Sequence, residues 1–119
     1  MHVEDLKVYQ RLFDLVLEVH NFTMGLPKFE MYELGSQLRR SSNSSPANLA
    51  EGFGSKHTNI YTEGISRAQG EIREIKHHLR VAYKKGYLTE ERLNYFISEY
   101  EVCSKMLYRL ENSLKVKKR

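Results

Sequence analysis

At 119 residues, 40% apolar and 29% charged, the chain has the length and composition of one globular domain, too apolar for a disordered segment and too short for two domains. Its formal charge of +4 is unevenly spread: residues 1–34 carry three Lys/Arg against six Asp/Glu, and residues 35–119 carry sixteen against nine. No apolar run approaches the roughly 20 residues that span a bilayer, and Met1-His-Val-Glu-Asp-Leu-Lys7 lacks the basic-then-apolar pattern of a secretion signal, so a cytoplasmic protein without a membrane segment is expected.

From Glu4 to Met24, two adjacent apolar rows run at helical spacing, Leu6, Tyr9, Phe13, Val16 and His20 beside Val8, Leu12, Leu15 and Val19. Two rows predict burial on two sides of this first helix. Gly25-Leu-Pro27 ends it. A second helix is predicted from Lys28 toward Glu51, with Gly52 and Gly54 as its stop. Its apolar row (Leu34, Leu38, Leu49, Phe53) is interrupted by Ser41, Ser42, Ser44 and Ser45 and by Pro46. Small residues in an apolar seam let another backbone come close, so the tightest helix or subunit contact is expected here. Pro46 is read as a kink within a continuous helix, with Ser45 as a fresh N-cap the alternative.

The third helix, Thr58 to Lys85, carries Tyr61, Ile65, Ala68, Ile72, Ile75, Leu79 and Ala82, with Gly86 as its stop. The fourth, capped by Thr89, carries Leu93, Phe96, Tyr100, Cys103, Leu107, Leu110 and Leu114. Alternating steps of three and four call for near-parallel helix axes at about 20°, as in a bundle with short loops. The predicted fold is an all-α, antiparallel up-and-down four-helix bundle, with one domain over residues 1–114 and a basic C-terminal tail over 115–119. Cys103, the sole cysteine, falls on an apolar seam, where a buried, inert thiol is expected.

Met31-Tyr-Glu-Leu-Gly-Ser-Gln-Leu-Arg-Arg40, followed by Asn48-Leu-Ala-Glu-Gly-Phe-Gly54 and the Lys85-Gly-Tyr-Leu88 turn, resembles the signature of the four-helix-bundle proteins encoded in intervening sequences of bacterial 23S rRNA genes. Relatives of that family include the accessory variability protein of diversity-generating retroelements. The resemblance implies an up-and-down bundle, a ring-shaped homo-oligomer of five subunits, and a binding role toward nucleic acid or a nucleic-acid enzyme such as a reverse transcriptase. The chain departs from the family pattern at Ser41, Ser42, Ser44 and Ser45, where members carry a larger apolar residue and an alanine, and at Ser55-Lys56, where an arginine is common.

Arg73, Lys76, Arg80 and Lys84 recur at steps of three and four, on one flank of the third helix at ~100° per residue. With Arg67, Lys85 and Lys56 nearby they form a candidate strip for phosphates, giving affinity without base readout. Glu71 and Glu74 lie among them and support the other reading, an ordinary surface laced with ion pairs. Arg39 and Arg40 complete the candidate set; one of them is expected to turn toward a neighbouring helix or subunit and pair with a carboxylate such as Glu51. Asn48 shares a helical face with Glu51 and is expected to satisfy backbone or arginine groups.

Catalytic patterns are sparse. Arg73-Glu-Ile-Lys-His-His78 fits the loose Arg-x4-His pattern of HEPN-type ribonucleases, and Glu74-Ile-Lys-His77 is half of a di-iron motif that has no second half in the chain. Zinc spacing, a nucleophile elbow and a phosphate-cradling loop are absent. The expectation is a non-enzymatic oligomeric scaffold or adaptor, without metal or cofactor, that binds RNA, DNA or a nucleic-acid enzyme. A purely structural or protein-binding oligomer is the alternative, and a ribonuclease the third reading.

Overall fold

A computed structural model of the chain describes residues 1–118. After a 3-10 turn at Val3–Asp5 come helices α1 (Lys7–Thr23), α2 (Lys28–Met31), α3 (Leu34–Gly52), α4 (Thr58–Lys84) and α5 (Glu90–Lys118). No strand occurs among the described residues, and α2 is a single turn, so the chain is all-α with four long helices. The molecule measures 50 × 23 × 20 Å. At ~1.5 Å per residue, α4 and α5 each exceed both short dimensions, so both lie along the long axis.

One apolar row of α1 enters the core: Val8, Leu12, Leu15 and Val19, joined by Phe22. The other row does not, contrary to the expectation of burial on two sides. Phe13 is 49% exposed, His20 is exposed, and Leu6, Tyr9 and Val16 are half-buried. The reason is that α1 packs mainly on α3 and only slightly on α5, leaving its outer side without a neighbour in the chain. The helix also begins later than predicted. The His2 N–H donates to Asp5 Oδ2 at 2.9 Å, closing the 3-10 turn first.

The predicted second helix is divided in two. Tyr32 (φ −99°, ψ 0°) and Glu33 (φ −111°, ψ −90°) interrupt it, which lets Glu30 turn into the protein while α3 sets off separately. Through Pro46, by contrast, α3 runs unbroken. A proline inside a helix costs about 3 kcal/mol relative to alanine, and Pro46 is buried in the seam between neighbouring helices, where packing offsets it.

The small-residue seam lies in the most extensive helix contact among the described residues, that of α3 with α4. Ser41, Ser42 and Ser45 are buried. Ser45 Oγ donates to the Ala68 carbonyl at 3.1 Å, while Ser41 and Ser42 donate to carbonyls of their own helix, those of Gln37 at 2.7 Å and Arg39 at 3.2 Å. Further along, the backbones themselves meet. A Cβ on Gly52 would lie 2.8 Å from the Ile60 carbonyl oxygen, and one on Gly64 would lie 2.8 Å from that of Asn48. Gly52 is therefore a contact glycine. The left-handed residue after α3 is Gly54, at φ 70°.

The last two helices follow their predicted seams. All seven seam residues of α4 are buried, as are Phe96, Tyr100, Cys103 and Leu107 of α5, with Leu93, Leu110 and Leu114 half-buried. Gly86 takes φ 85° in the α4–α5 turn, and Thr89 Oγ1 accepts the Arg92 N–H at 3.2 Å at the start of α5. Cys103 lies in the core, where burial pushes its thiol up to about 11 and keeps it protonated. The predicted C-terminal tail is helical as far as Lys118, and its last residue, Arg119, lies outside the described residues.

Candidate nucleic-acid interface

The predicted basic residues separate by what they touch. Arg73, Arg80 and Lys84 are exposed on α4 and have no carboxylate partner among the described residues. His77 is exposed between them, so the open row is 73, 77, 80 and 84, one heptad-spaced line on the outer side of the helix. Lys76 leaves this line. Its side chain is only 18% exposed and its ammonium lies 3.9 Å from Glu101 on α5. Arg67 is exposed and pairs with Glu63 one turn earlier at 2.7 Å, and Lys56 is exposed in the α3–α4 connection.

Arg39 and Arg40 take different roles, as adjacent positions on a helix require. Arg39 is half-buried and joins three segments: Nη1 donates to Thr23 Oγ1 at 3.0 Å at the end of α1, and Nη2 to the Met31 carbonyl at 2.7 Å in α2. Arg40 reaches across to α4. Its guanidinium bonds Glu74 and lies 3.6 Å from Glu71, and the same Glu74 oxygen is 3.2 Å from His78 Nε2. Burial pushes the Glu74 carboxyl up, but the Arg40 guanidinium and then His78 outweigh it and hold it below the usual value. Neither arginine meets Glu51, which is exposed eleven or twelve residues further along α3, roughly 16 Å or more on the helix axis.

Glu71 and Glu74 thus face Arg40 of α3, and Glu74 also His78, rather than Arg73, Arg80 or Lys84. That leaves the outer line of α4 positive. Arg73 and His78, the pair of the ribonuclease pattern, are five residues apart and so ~140° apart around α4. Arg73 faces solvent while His78 is engaged by Glu74, and the two do not converge within one chain. Among the described residues no group of three or more His, Cys, Asp or Glu side chains is placed to hold a metal ion, and no helix is long and apolar enough to cross a membrane.

One cluster escaped the sequence reading. Glu30 of α2 is 2% exposed, and its Oε2 accepts from Lys85 Nζ at 2.8 Å and from the Tyr87 hydroxyl at 3.0 Å. The Lys85 ammonium holds the Glu30 carboxyl below its usual value, against burial, with help from Tyr87 and the Leu34 N–H; Glu30 in turn raises Lys85. Lys85 is therefore a structural cation, half of it still open to solvent. The signal was an acidic residue set among Phe29, Met31 and Leu34 just after Gly-Leu-Pro, and the Lys85-Gly-Tyr87 turn that answers it.

The model of the family described as 23S rRNA-intervening sequence protein matches residues 4–109. A search of curated proteins finds no match. Since the matched span takes in α1 through most of α5, with its four long helices, the chain belongs to the 23S rRNA-intervening sequence protein family.

Proposed function

We propose that the protein is a non-enzymatic, self-associating scaffold that binds nucleic-acid phosphates along the outer line of α4. The observation that carries this reading is the set of exposed cations at Arg73, Arg80 and Lys84, none of which pairs with a carboxylate among the described residues; Lys84 rests only over its neighbour's ring, that of Tyr83, 5.8 Å from the centroid. Three phosphate contacts give a salt slope of about −2.7 on duplex DNA and only weak affinity per chain. Repetition of the line in a ring of five copies, the assembly the family resemblance implies, multiplies that affinity without new contacts. Partners of this kind, RNA, DNA or a nucleic-acid enzyme, would be met in the cytoplasm.

The underlying topology is an antiparallel up-and-down bundle. Support comes from contacts whose residue numbers run in opposite directions: Arg40 with Glu74, Ser45 with Ala68 and Gly52 with Gly64 between α3 and α4, Gln69 with Ser104 and Lys76 with Glu101 between α4 and α5, and Arg11 with Glu99 and Glu18 with Tyr95 between α1 and α5. Connections of five residues at 53–57 and 85–89 suit antiparallel neighbours.

Self-association draws on the outer side of α1, where Phe13 is 49% and Leu17 54% exposed. That apolar row also favours a second reading, a protein-binding oligomer without affinity for nucleic acid. Titration of generic RNA and duplex DNA across salt concentrations separates the two: binding with a steep salt slope supports the scaffold reading, and no binding at low salt leaves the second.

A further inference from the structure

Two large aromatic side chains stand in solvent at one end of the bundle. Phe29 is 69% exposed and Tyr32 is 76% exposed, and neither ring meets another aromatic ring. Their direction follows from Glu30. At ~100° per residue, Phe29 lies ~100° around the single turn of α2 from Glu30, and Tyr32 follows directly at the end of that turn. Because the Glu30 carboxylate is drawn into the protein by Lys85 and Tyr87, both rings are aimed outward on one side of a pinned segment.

The same bond puts this turn beside the end of α4. Lys85, just past the end of α4, holds Glu30, and Lys84 and Arg80, the last two cations of the open α4 line, lie one and five residues before it. Lys28, exposed on the aromatic turn itself, adds a further cation, against one exposed carboxylate there, Glu33. Cations on the helix whose end is tied by the bond of Lys85 to Glu30 to the turn bearing two exposed rings are the combination that binds a single strand: charge follows the phosphates, and flat rings stack on bases. A duplex offers phosphates but hides its base faces.

We infer that Phe29 and Tyr32 form a stacking platform for a single-stranded polynucleotide whose phosphates continue along Lys84 and Arg80. This deepens the phosphate-binding reading of α4 and rests on it.

The test is anisotropy with labelled oligouridylate and oligothymidylate of about 12 nucleotides and a duplex of equal length, using the full chain and two double variants. Both rings are exposed, so Phe29→Ala/Tyr32→Ala retains the wild-type melting curve. That variant is expected to bind the single strands at least tenfold more weakly, since the bases lose the rings they stack on, while its duplex affinity stays at the wild-type level. Arg80→Glu/Lys84→Glu is expected to weaken both. Unchanged single-strand binding by the alanine variant, with duplex binding intact in the wild type, overturns the platform and leaves the α4 reading standing. Wild-type protein that binds no form overturns both. If the alanine variant loses self-association but keeps its single-strand affinity, the rings belong to a contact between copies and the inference is wrong.

Discussion

Lys85 Nζ and Glu30 Oε2 are 2.8 Å apart across 55 positions of chain, and this bond ties the α1–α3 connection to the α4–α5 turn. Glu30 titrates below its ordinary 4.5 in the folded protein, so its contribution is present above that value and is lost as pH falls through the lower, folded one. Lys85 titrates above its ordinary 10.5, so its contribution is present below that value and is lost as pH rises through the folded one. Between these limits the pair contributes in full.

Glu30→Gln is therefore expected to lower the thermal midpoint by a few degrees at neutral pH. Melts followed by circular dichroism across pH should show the gap between variant and wild type closing below pH 4.5. A gap that is the same at pH 7 and at pH 3 would contradict the linkage.

The glycines of the α3–α4 contact give a prediction of opposite signs. Gly52→Ala or Gly64→Ala puts a methyl 2.8 Å from a backbone oxygen of the other helix, which must move, at about 1–3 kcal/mol in chemical denaturation. Gly70→Ala meets only the flexible Arg73 guanidinium, at 3.7 Å, and should gain up to about 1 kcal/mol from helix propensity. Equal effects at all three positions would show that the helices do not approach so closely.

What could be read in advance follows from periodicity. The seams of α4 and α5 and the inner row of α1 are written in apolar spacing, and their buried residues are the predicted ones. The serine stretch announced a close contact, which is the one between α3 and α4. Periodicity does not say which of two apolar rows on α1 the chain itself covers. Nor does it reveal a one-turn helix like α2, whose existence depends on Glu30 meeting Lys85 and Tyr87 from far along the sequence. Among the basic residues, spacing put Lys76 in line with Arg73 and Arg80, and only the contact with Glu101 separates it. Spacing said only that one of Arg39 and Arg40 would turn toward a neighbouring helix; it is Arg40 that meets carboxylates, on α4 rather than at Glu51, while the partners of Arg39, Thr23 and a carbonyl, carry no charge pattern to announce them.

The outer side of α1, where Phe13 and Leu17 are exposed, yields a prediction about assembly. Phe13→Glu/Leu17→Glu changes two half-exposed positions that touch little of the core, so the fold should persist while copies separate. Light scattering is expected to give a multiple of 14.0 kDa for the wild type and the single-chain mass for the variant. A wild-type protein that is already monomeric would remove the ring.

The central claim is that the open cations of α4 meet phosphates. Its most direct test is the slope of log affinity against log salt for wild type and for Arg73→Glu/Arg80→Glu/Lys84→Glu on one duplex. The account predicts a steep wild-type slope, flattened by about 2.7 per chain engaged in the variant, with much weaker binding at low salt. Equal slopes and equal affinities for the two proteins would contradict it.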